Sequence, residues 1–293
     1  MSASPTILVI DSGLGGLTVL REIVRARPEA RYVYVADDVF FPYGHHSEDE
    51  IIARVVPLMG ELIARHAPDL VVIACNTMSV SVMAPLRAAY GVPFVGTVPA
   101  VKPACAASTT KRVSVLGTRA TVKREYTQAL IRDHASACTV TLVGSPNLAT
   151  LAEAELNGAA IPDDAIRAEI APCFTETDGL RTDAVVLACT HYPLLLQRMI
   201  ALAPWPVAWI DPAPAIARRV KDLLGPAGHG TPDAPSFAYT SGCAPSAPLA
   251  KALAPFFGSA ALVTARSLSI PPLIKTPDGA TNGCTNRLTM LGH

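Results

Sequence analysis

The feature that most narrows what this chain can fold into is a repeated unit. An apolar run of about five residues stops at a polar or thiol side chain, and a segment of helical periodicity follows. Thr6–Ile10 stops at Asp11, Tyr32–Ala36 at Asp37, Leu70–Ala74 at Cys75, Val113–Leu116 at Gly117-Thr118, Ala184–Ala188 at Cys189 and Val207–Ile210 at Asp211. Pro93–Gly96 and Thr139–Val143 are further strands. The intervening segments Leu17–Arg27, Glu48–His66, Ser79–Tyr90, Val122–His134, Leu148–Leu156, Asp163–Phe174, Leu194–Ala201 and Ala213–Leu224 read as helices. Strands apolar on both faces, alternating with helices, imply parallel sheets covered on both sides. A chain rich in Ala, Val and Leu suits that packing.

The unit recurs in a more specific form. Leu70-Val-Val-Ile-Ala-Cys75-Asn-Thr77 resembles Ala184-Val-Val-Leu-Ala-Cys189-Thr-His191. Each is an apolar strand ending in Ala-Cys and two polar residues. We read two related α/β lobes, each presenting a thiol at the carboxyl end of a strand, where open parallel sheets bind ligands. After Asp211, Gly225–Pro235 reads as a loop, Ser236–Ser241 as a strand, Pro248–Phe257 as a helix and Ala260–Thr264 as a last strand. From Ser267 onward the periodicity fails.

Composition excludes several classes. The 293 residues carry 24 basic and 24 acidic side chains, so no basic face for nucleic acid is expected. A small anionic ligand needs only a few local donors. The start lacks a basic n-region, and no run reaches the ~18 apolar residues of a membrane span. A cytoplasmic protein without membrane contact is expected. Seven scattered cysteines without a CxxC pair fit reduced thiols better than disulfides or zinc.

Five strand ends could build a site: Asp11-Ser12, Asp37 with Pro42-Tyr43-Gly44, Cys75-Asn76-Thr77, Gly117-Thr118 through Thr121, and Cys189-Thr190-His191. Free N–H groups at helix starts bind carboxylates without an Arg or Lys cluster. Plainer readings stand beside this one. Thr118 and Thr121 could be helix caps, Asp37 could only terminate a strand, and a single Cys at a strand end is usually a packing residue. Asp11-Ser-Gly-Leu-Gly-Gly16 lacks both the third Gly of GxGxxG and the Lys of a Walker loop, which argues against a nucleotide site. Cys-x-His at 189–191 lacks further metal ligands.

Two thiols facing one pocket suit one task. Inverting a stereocentre means removing a proton from one face and returning one to the other. A thiolate can take it while the partner waits as a thiol. Asp11 would serve the first thiol and His191 the second. No strand-end Lys stands ready for a pyridoxal Schiff base, so preorganised donors would have to stabilise the carbanionic transition state.

From about Ile7 to about Val263 the chain resembles glutamate racemase. The resemblance rests on D-S-G-L-G-G at 11–16, F-P-Y-G at Phe41–Gly44, A-C-N-T at Ala74–Thr77, G-T-R-A-T at Gly117–Thr121 and A-C-T-H-Y-P at Ala188–Pro193. It implies cofactor-free interconversion of L- and D-glutamate, supplying D-glutamate for peptidoglycan. By it, Cys75 takes the α-proton of D-glutamate and Cys189 that of L-glutamate, assisted by Asp11 and His191. Glu153 supports the histidine. Asp11, Ser12, Tyr43, Gly44, Asn76, Thr77, Thr118, Thr121, Thr190 and His191 bind substrate. The implied fold is two lobes with the site between them: residues 1–97 with 211–266, then 98–210, with an irregular tail over 267–293. Members are often homodimers. Val98–Pro103 looks like the Gram-negative version, some of which UDP-N-acetylmuramoyl-L-alanine activates. Departures are Ala188 for the usual Gly, Pro212 for Ser, and Ser145 where many members have Cys.

Three alternatives remain open on sequence. A sister racemase could act on aspartate or a hydantoin, whereas a related decarboxylase would keep only one thiol. A two-lobed binding protein would use both cysteines for packing. A cysteine hydrolase would leave the second thiol unexplained.

Overall fold

A computed structural model describes residues 4–227, 236–242 and 263–264. The first run of elements is β1 (Thr6–Asp11), α1 (Leu17–Ala26), β2 (Arg31–Ala36), α2 (Glu48–His66), β3 (Leu70–Ile73), α3 (Asn76–Ala89) and β4 (Phe94–Gly96). The second is α4 (Val101–Ala107), β5 (Arg112–Thr118), α5 (Arg119–Lys123), α6 (Glu125–His134), β6 (Thr139–Ser145), α7 (Leu148–Leu156), α8 (Asp163–Ile170), the short pair β7 (Glu176–Thr177) and β8 (Leu180–Arg181), β9 (Ala184–Ala188), α9 (Leu196–Leu202) and β10 (Ala208–Ile210). Then come α10 (Ala213–Leu224), β11 (Ser236–Tyr239) and β12 (Val263–Thr264).

Two parallel sheets result. The larger has the order β12-β11-β2-β1-β3-β4, the smaller β10-β9-β5-β6. Apolar cores lie on both faces of each sheet, which is why the central strands are apolar throughout. The expected mixed α/β fold with two lobes is therefore present. No helix among the described residues is long and apolar enough to cross a membrane.

Several expectations shift by a few residues, each for a local reason. The helix expected from Ser79 begins at Asn76, with Cys75 as its extended N-cap. The single helix expected over Val122–His134 is two, broken at Arg124 with φ −66° and ψ 140°. There Thr127 Oγ1 donates to Thr121 O and Gln128 Nε2 to Val122 O, taking carbonyls that a continuous helix would use. Asp163–Phe174 is an α-helix to Ile170 and a 3₁₀ turn after it, and the helix expected from Leu194 begins as a 3₁₀ turn at Tyr192–Leu195. The α4 helix and the β7–β8 hairpin had no counterpart in the sequence reading. The helix expected over Pro248–Phe257 and the tail from 267 lie outside the described residues.

A buried ion pair ties the first helix to the tenth. Arg27 donates to Glu29 Oε1 at 2.6 Å and to Gly225 O at 2.7 Å, just beyond α10, and both charged side chains are buried. Removing one partner strands the other's charge in the interior, which costs several kcal/mol. Arg27→Ala is expected to lower stability by about 3 kcal/mol in urea unfolding, with folded protein keeping its activity. A loss below about 1 kcal/mol would mean that the pair behaves like a solvated one.

Candidate active site

The site is assembled from the carboxyl ends of β1, β2, β3, β5 and β9. β1 delivers Asp11, which is fully buried. Its Oδ2 accepts from the Gly16 N–H at 2.6 Å, so the carboxylate braces the loop leading into α1. Thr190 Oγ1, from the other lobe, lies 3.4 Å from the same oxygen. Ser12 does not cap α1. Its hydroxyl stands between Asp11 Oδ1, at 3.5 Å, and Cys75 Sγ, at 3.8 Å. Asp11 thus reaches the first thiol through Ser12 rather than by a direct bond.

The second thiol has a different neighbour. Cys189 follows β9, and its Sγ lies 3.9 Å from His191 Nδ1. The far side of that ring meets Glu153, on α7, at 2.6 Å between Nε2 and Oε2. The Gly15 N–H points at the same Nε2 from 3.2 Å. One nitrogen cannot serve both bonds at once. A contact of 2.6 Å to a carboxylate needs a proton between the atoms, so we place it on Nε2 when Glu153 is ionised. That leaves Nδ1 free to exchange a proton with Cys189.

These neighbours act on the titratable groups of the site. Burial, reinforced by the Asp11 charge, pushes the Cys75 thiol well above its ordinary range. A thiolate on Cys189 pushes it further, so the two sulfurs feel one another. Burial opposes charge on His191, but its contacts with Cys189 and Glu153 outweigh that and raise its pKa well above the usual value. Burial also raises Asp11, with the His191 charge pulling the other way. One thiol sits beside an anion and the other beside a potential cation.

The third part is a cluster of hydroxyls. Thr77 Oγ1 lies 3.0 Å from Thr118 Oγ1 and 2.9 Å from Thr121 Oγ1, and the last two are 3.0 Å apart. Thr118 also caps α5 by accepting from the Thr121 N–H, so the capping reading holds for it alongside any binding role. Asn76 is buried, and neither its carboxamide oxygen nor its nitrogen has a partner among the described residues. An unpaired buried polar group costs about 1–3 kcal/mol, a cost that a polar ligand would remove. Gly44 abuts Thr118: a Cβ there would lie 3.1 Å from the threonine's Cβ. The Tyr43 hydroxyl points instead to Asp37, at 2.5 Å. Among the described residues no three His, Cys, Asp or Glu side chains cluster so as to hold a metal ion.

Sequence reading assigned no role to five contributors. Gly13 and Gly15 are small because Glu153 and His191 press against them; a Cβ at Gly13 would lie 2.8 Å from Glu153 Oε2. Thr18 Oγ1 donates to Thr190 O at 3.1 Å across the lobes. The Phe41 ring sits 5.5 Å from the His191 ring. Asp37 is paired with Arg54, whose only signal was a charged residue on the apolar face of α2, between Ile51 and Val55. The replacement of Gly by Ala188 is accommodated because Gly117 faces it in register. A Cβ at Gly117 would approach that of Ala188 to 3.3 Å.

The known proteins that resemble the chain are racemases. Residues 7–220 match the Asp/Glu/hydantoin racemase family. A glutamate racemase from Brucella canis is 56% identical over 219 residues, covering 74% of this chain and 79% of that protein. One from Sinorhizobium medicae is 57% identical over 219 residues, covering 74% and 81%. The crystal structure of Escherichia coli glutamate racemase in complex with L-glutamate and the activator UDP-MurNAc-ala superposes with a TM-score of 0.78. It shares 36% identity, covering 90% of this chain and 98% of that one. The chain belongs to the Asp/Glu/hydantoin racemase family, among its glutamate racemases.

Proposed function

We propose that the chain interconverts L- and D-glutamate by proton transfer between Cys75 and Cys189, without a cofactor, and supplies D-glutamate for peptidoglycan. The observation that carries this reading is the pair of buried thiols. They come from the carboxyl ends of two different sheets and stand close enough for one to feel the other's charge. A hydrolase or a decarboxylase would need only one of them. A binding protein would have no use for the relays behind each. The 56% identical relatives support glutamate over aspartate or a hydantoin. By the same likeness we assign the chain to the cytoplasm. We divide it into lobes at 1–97 with 211–266 and at 98–210. We hold UDP-N-acetylmuramoyl-L-alanine as its activator and a homodimer as its assembly.

In the L-to-D direction the Cys189 thiolate takes the α-proton, and the Cys75 thiol delivers one to the opposite face. His191, oriented by Glu153, favours the thiolate that begins the step. Asp11, acting through Ser12, favours the protonated form of Cys75 that ends it. The Thr77, Thr118 and Thr121 hydroxyls, Thr190, Asn76 and the Tyr43-Gly44 main chain hold the carboxylates and the ammonium. Donors fixed in a dry site stabilise the charge that develops on the α-carboxylate. Reversal exchanges the two cysteine roles.

Three measurements test this. Cys75→Ala and Cys189→Ala should each abolish racemisation of glutamate while the fold and glutamate binding persist. In D₂O the wild-type product should gain deuterium before the recovered substrate does. Equal early labelling would point to one shared base, and rotation lost only with aspartate would refute the substrate. Second, Gly15→Ala adds a Cβ that overlaps His191 Nδ1 and lies 2.7 Å from its main-chain N. Displacing that ring should lower kcat/KM roughly 100-fold, the scale of a catalytic group moved by about 1 Å. A change under about threefold would show that the ring's position does not matter. Third, the enantiomers have equal free energy, so kcat/KM must follow one pH profile in both directions. Activity needs one thiol and one thiolate, and the alkaline limb marks loss of the second proton. Because Cys75 is raised, that limb should lie above the ordinary thiol value of 9.0. Asp11→Asn, which removes a charge that raises Cys75, should move it down. A limb below 9.0, or one unmoved by Asp11→Asn, would refute the electrostatic assignment.

A further inference from the structure

Asp37 closes β2 as Asp11 closes β1, and its N–H donates to Asp11 O at 2.8 Å, so the two carboxylates sit on neighbouring strand ends. Asp37 is fully buried and accepts four bonds. Arg54 Nε and Nη2 donate at 3.0 and 2.6 Å, one to each oxygen, Tyr43 OH at 2.5 Å and Thr240 Oγ1 at 2.6 Å. The fork-on-carboxylate geometry fixes direction as well as distance. Arg54 also cancels the Asp37 charge, so a site meant for an anionic substrate gains no second negative neighbour from this side.

The partners come from far apart in the chain. Arg54 is on α2, Thr240 follows β11, and Tyr43 belongs to the turn that carries Gly44 against Thr118. Tyr43 is buried and its hydroxyl is committed to Asp37, so that hydroxyl is not what the turn offers a ligand. What remains is main chain: the N–H groups of Tyr43 and Gly44 donate to no described residue, whereas those of His45 and His46 are used within the turn. Burial, then the Asp37 charge, holds Tyr43 well above the ordinary phenol range, which keeps its O–H as a donor.

We propose that Asp37 and Arg54 are positioning residues: through the Tyr43 hydroxyl they fix the Tyr43-Gly44 main chain where a substrate carboxylate docks. This rests on the racemase reading above and adds to it two residues that do not touch substrate. A carboxylate held by a fixed peptide needs no arginine of its own, and the Arg54 guanidinium is committed to Asp37. Thr240 extends the same clamp to the returning C-terminal segment.

The test separates this role from simple structural support. Tyr43→Phe removes one O–H, and Asp37→Asn removes the charge and weakens all four bonds. Both are assayed for L-glutamate racemisation alongside thermal unfolding. The expected result is a KM raised roughly tenfold with kcat changed less than about threefold, the signature of lost substrate binding. Tyr43→Phe should keep its melting temperature. Wild-type KM in a folded Tyr43→Phe overturns the proposal, and so does a lowered melting temperature with KM unchanged. If Asp37→Asn does not fold, Tyr43→Phe decides alone. A wild-type enzyme inactive on glutamate but active on aspartate would refute the substrate assignment only. The KM comparison then runs on aspartate, because the α-carboxylate is common to both.

Discussion

The structure depends on the contact between the loop after β1 and the Glu153–His191 pair. Residues 13–16 come from one lobe, and the carboxylate and imidazole from the other. Glu153 accepts from the Leu14 N–H at 3.1 Å while holding His191, so one carboxylate oxygen serves both lobes. That approach is possible only because residues 13 and 15 have no side chain. The loop's own shape is held from behind, by Asp11 on the Gly16 N–H and by Tyr34 OH on Gly13 O at 2.8 Å. The proposed site groups, the loop backbone and the lobe contact therefore share atoms. A shift that separates the lobes would break the Leu14–Glu153 bond and lift the loop from the carboxylate that orients His191.

This explains why the D-S-G-L-G-G stretch invites a nucleotide reading and does not earn one. Glycines that bring backbone close to a pyrophosphate and glycines that bring backbone close to another lobe look alike in sequence. What distinguishes them is the partner, and Glu153 and His191 lie 139 and 176 positions away from the residues they meet, Leu14 and Gly15. No local pattern carries that distance. The same limit hid the partners of Asp37. A strand-ending Asp has a sufficient local explanation, and its four donors come from residues 43, 54 and 240.

Other parts were legible because their causes are local. Glu48–His66 and Leu148–Leu156 were read to the residue, the first with a Ser47–Glu50 capping box at its start. Apolar runs named the strands, since burial on both faces leaves no alternation to confuse. The repeated Ala-Cys strand end located both thiols. Errors arose where side chains compete with the backbone, as at Arg124, or where an element is too short to show a period, as in α4 and the β7–β8 pair. The motif residues of the site could be listed from sequence, but not how they divide the work. Ser12 stands between Asp11 and Cys75, and the Tyr43 hydroxyl is committed to Asp37.

That division poses an apparent difficulty. A racemase must work equally well in both directions at equilibrium, yet the two thiols proposed above have unlike neighbours, Asp11 on the Cys75 side and His191 beside Cys189. Symmetry of the reaction does not require symmetry of the resting site. With one proton between the two sulfurs, unequal fields choose which sulfur holds it. In the proposed two-thiol mechanism, an enzyme with the proton on Cys75 is set for the L enantiomer. After turnover the proton has changed sulfur, and Asp11 and His191 both draw it back. The D enantiomer meets the less populated arrangement, and the enzyme must bind it with the proton already displaced. Equality of kcat/KM then requires that arrangement, though rarer, to react faster by the same factor. Opposite fields at the two thiols thus fix which form waits and leave the overall equilibrium untouched.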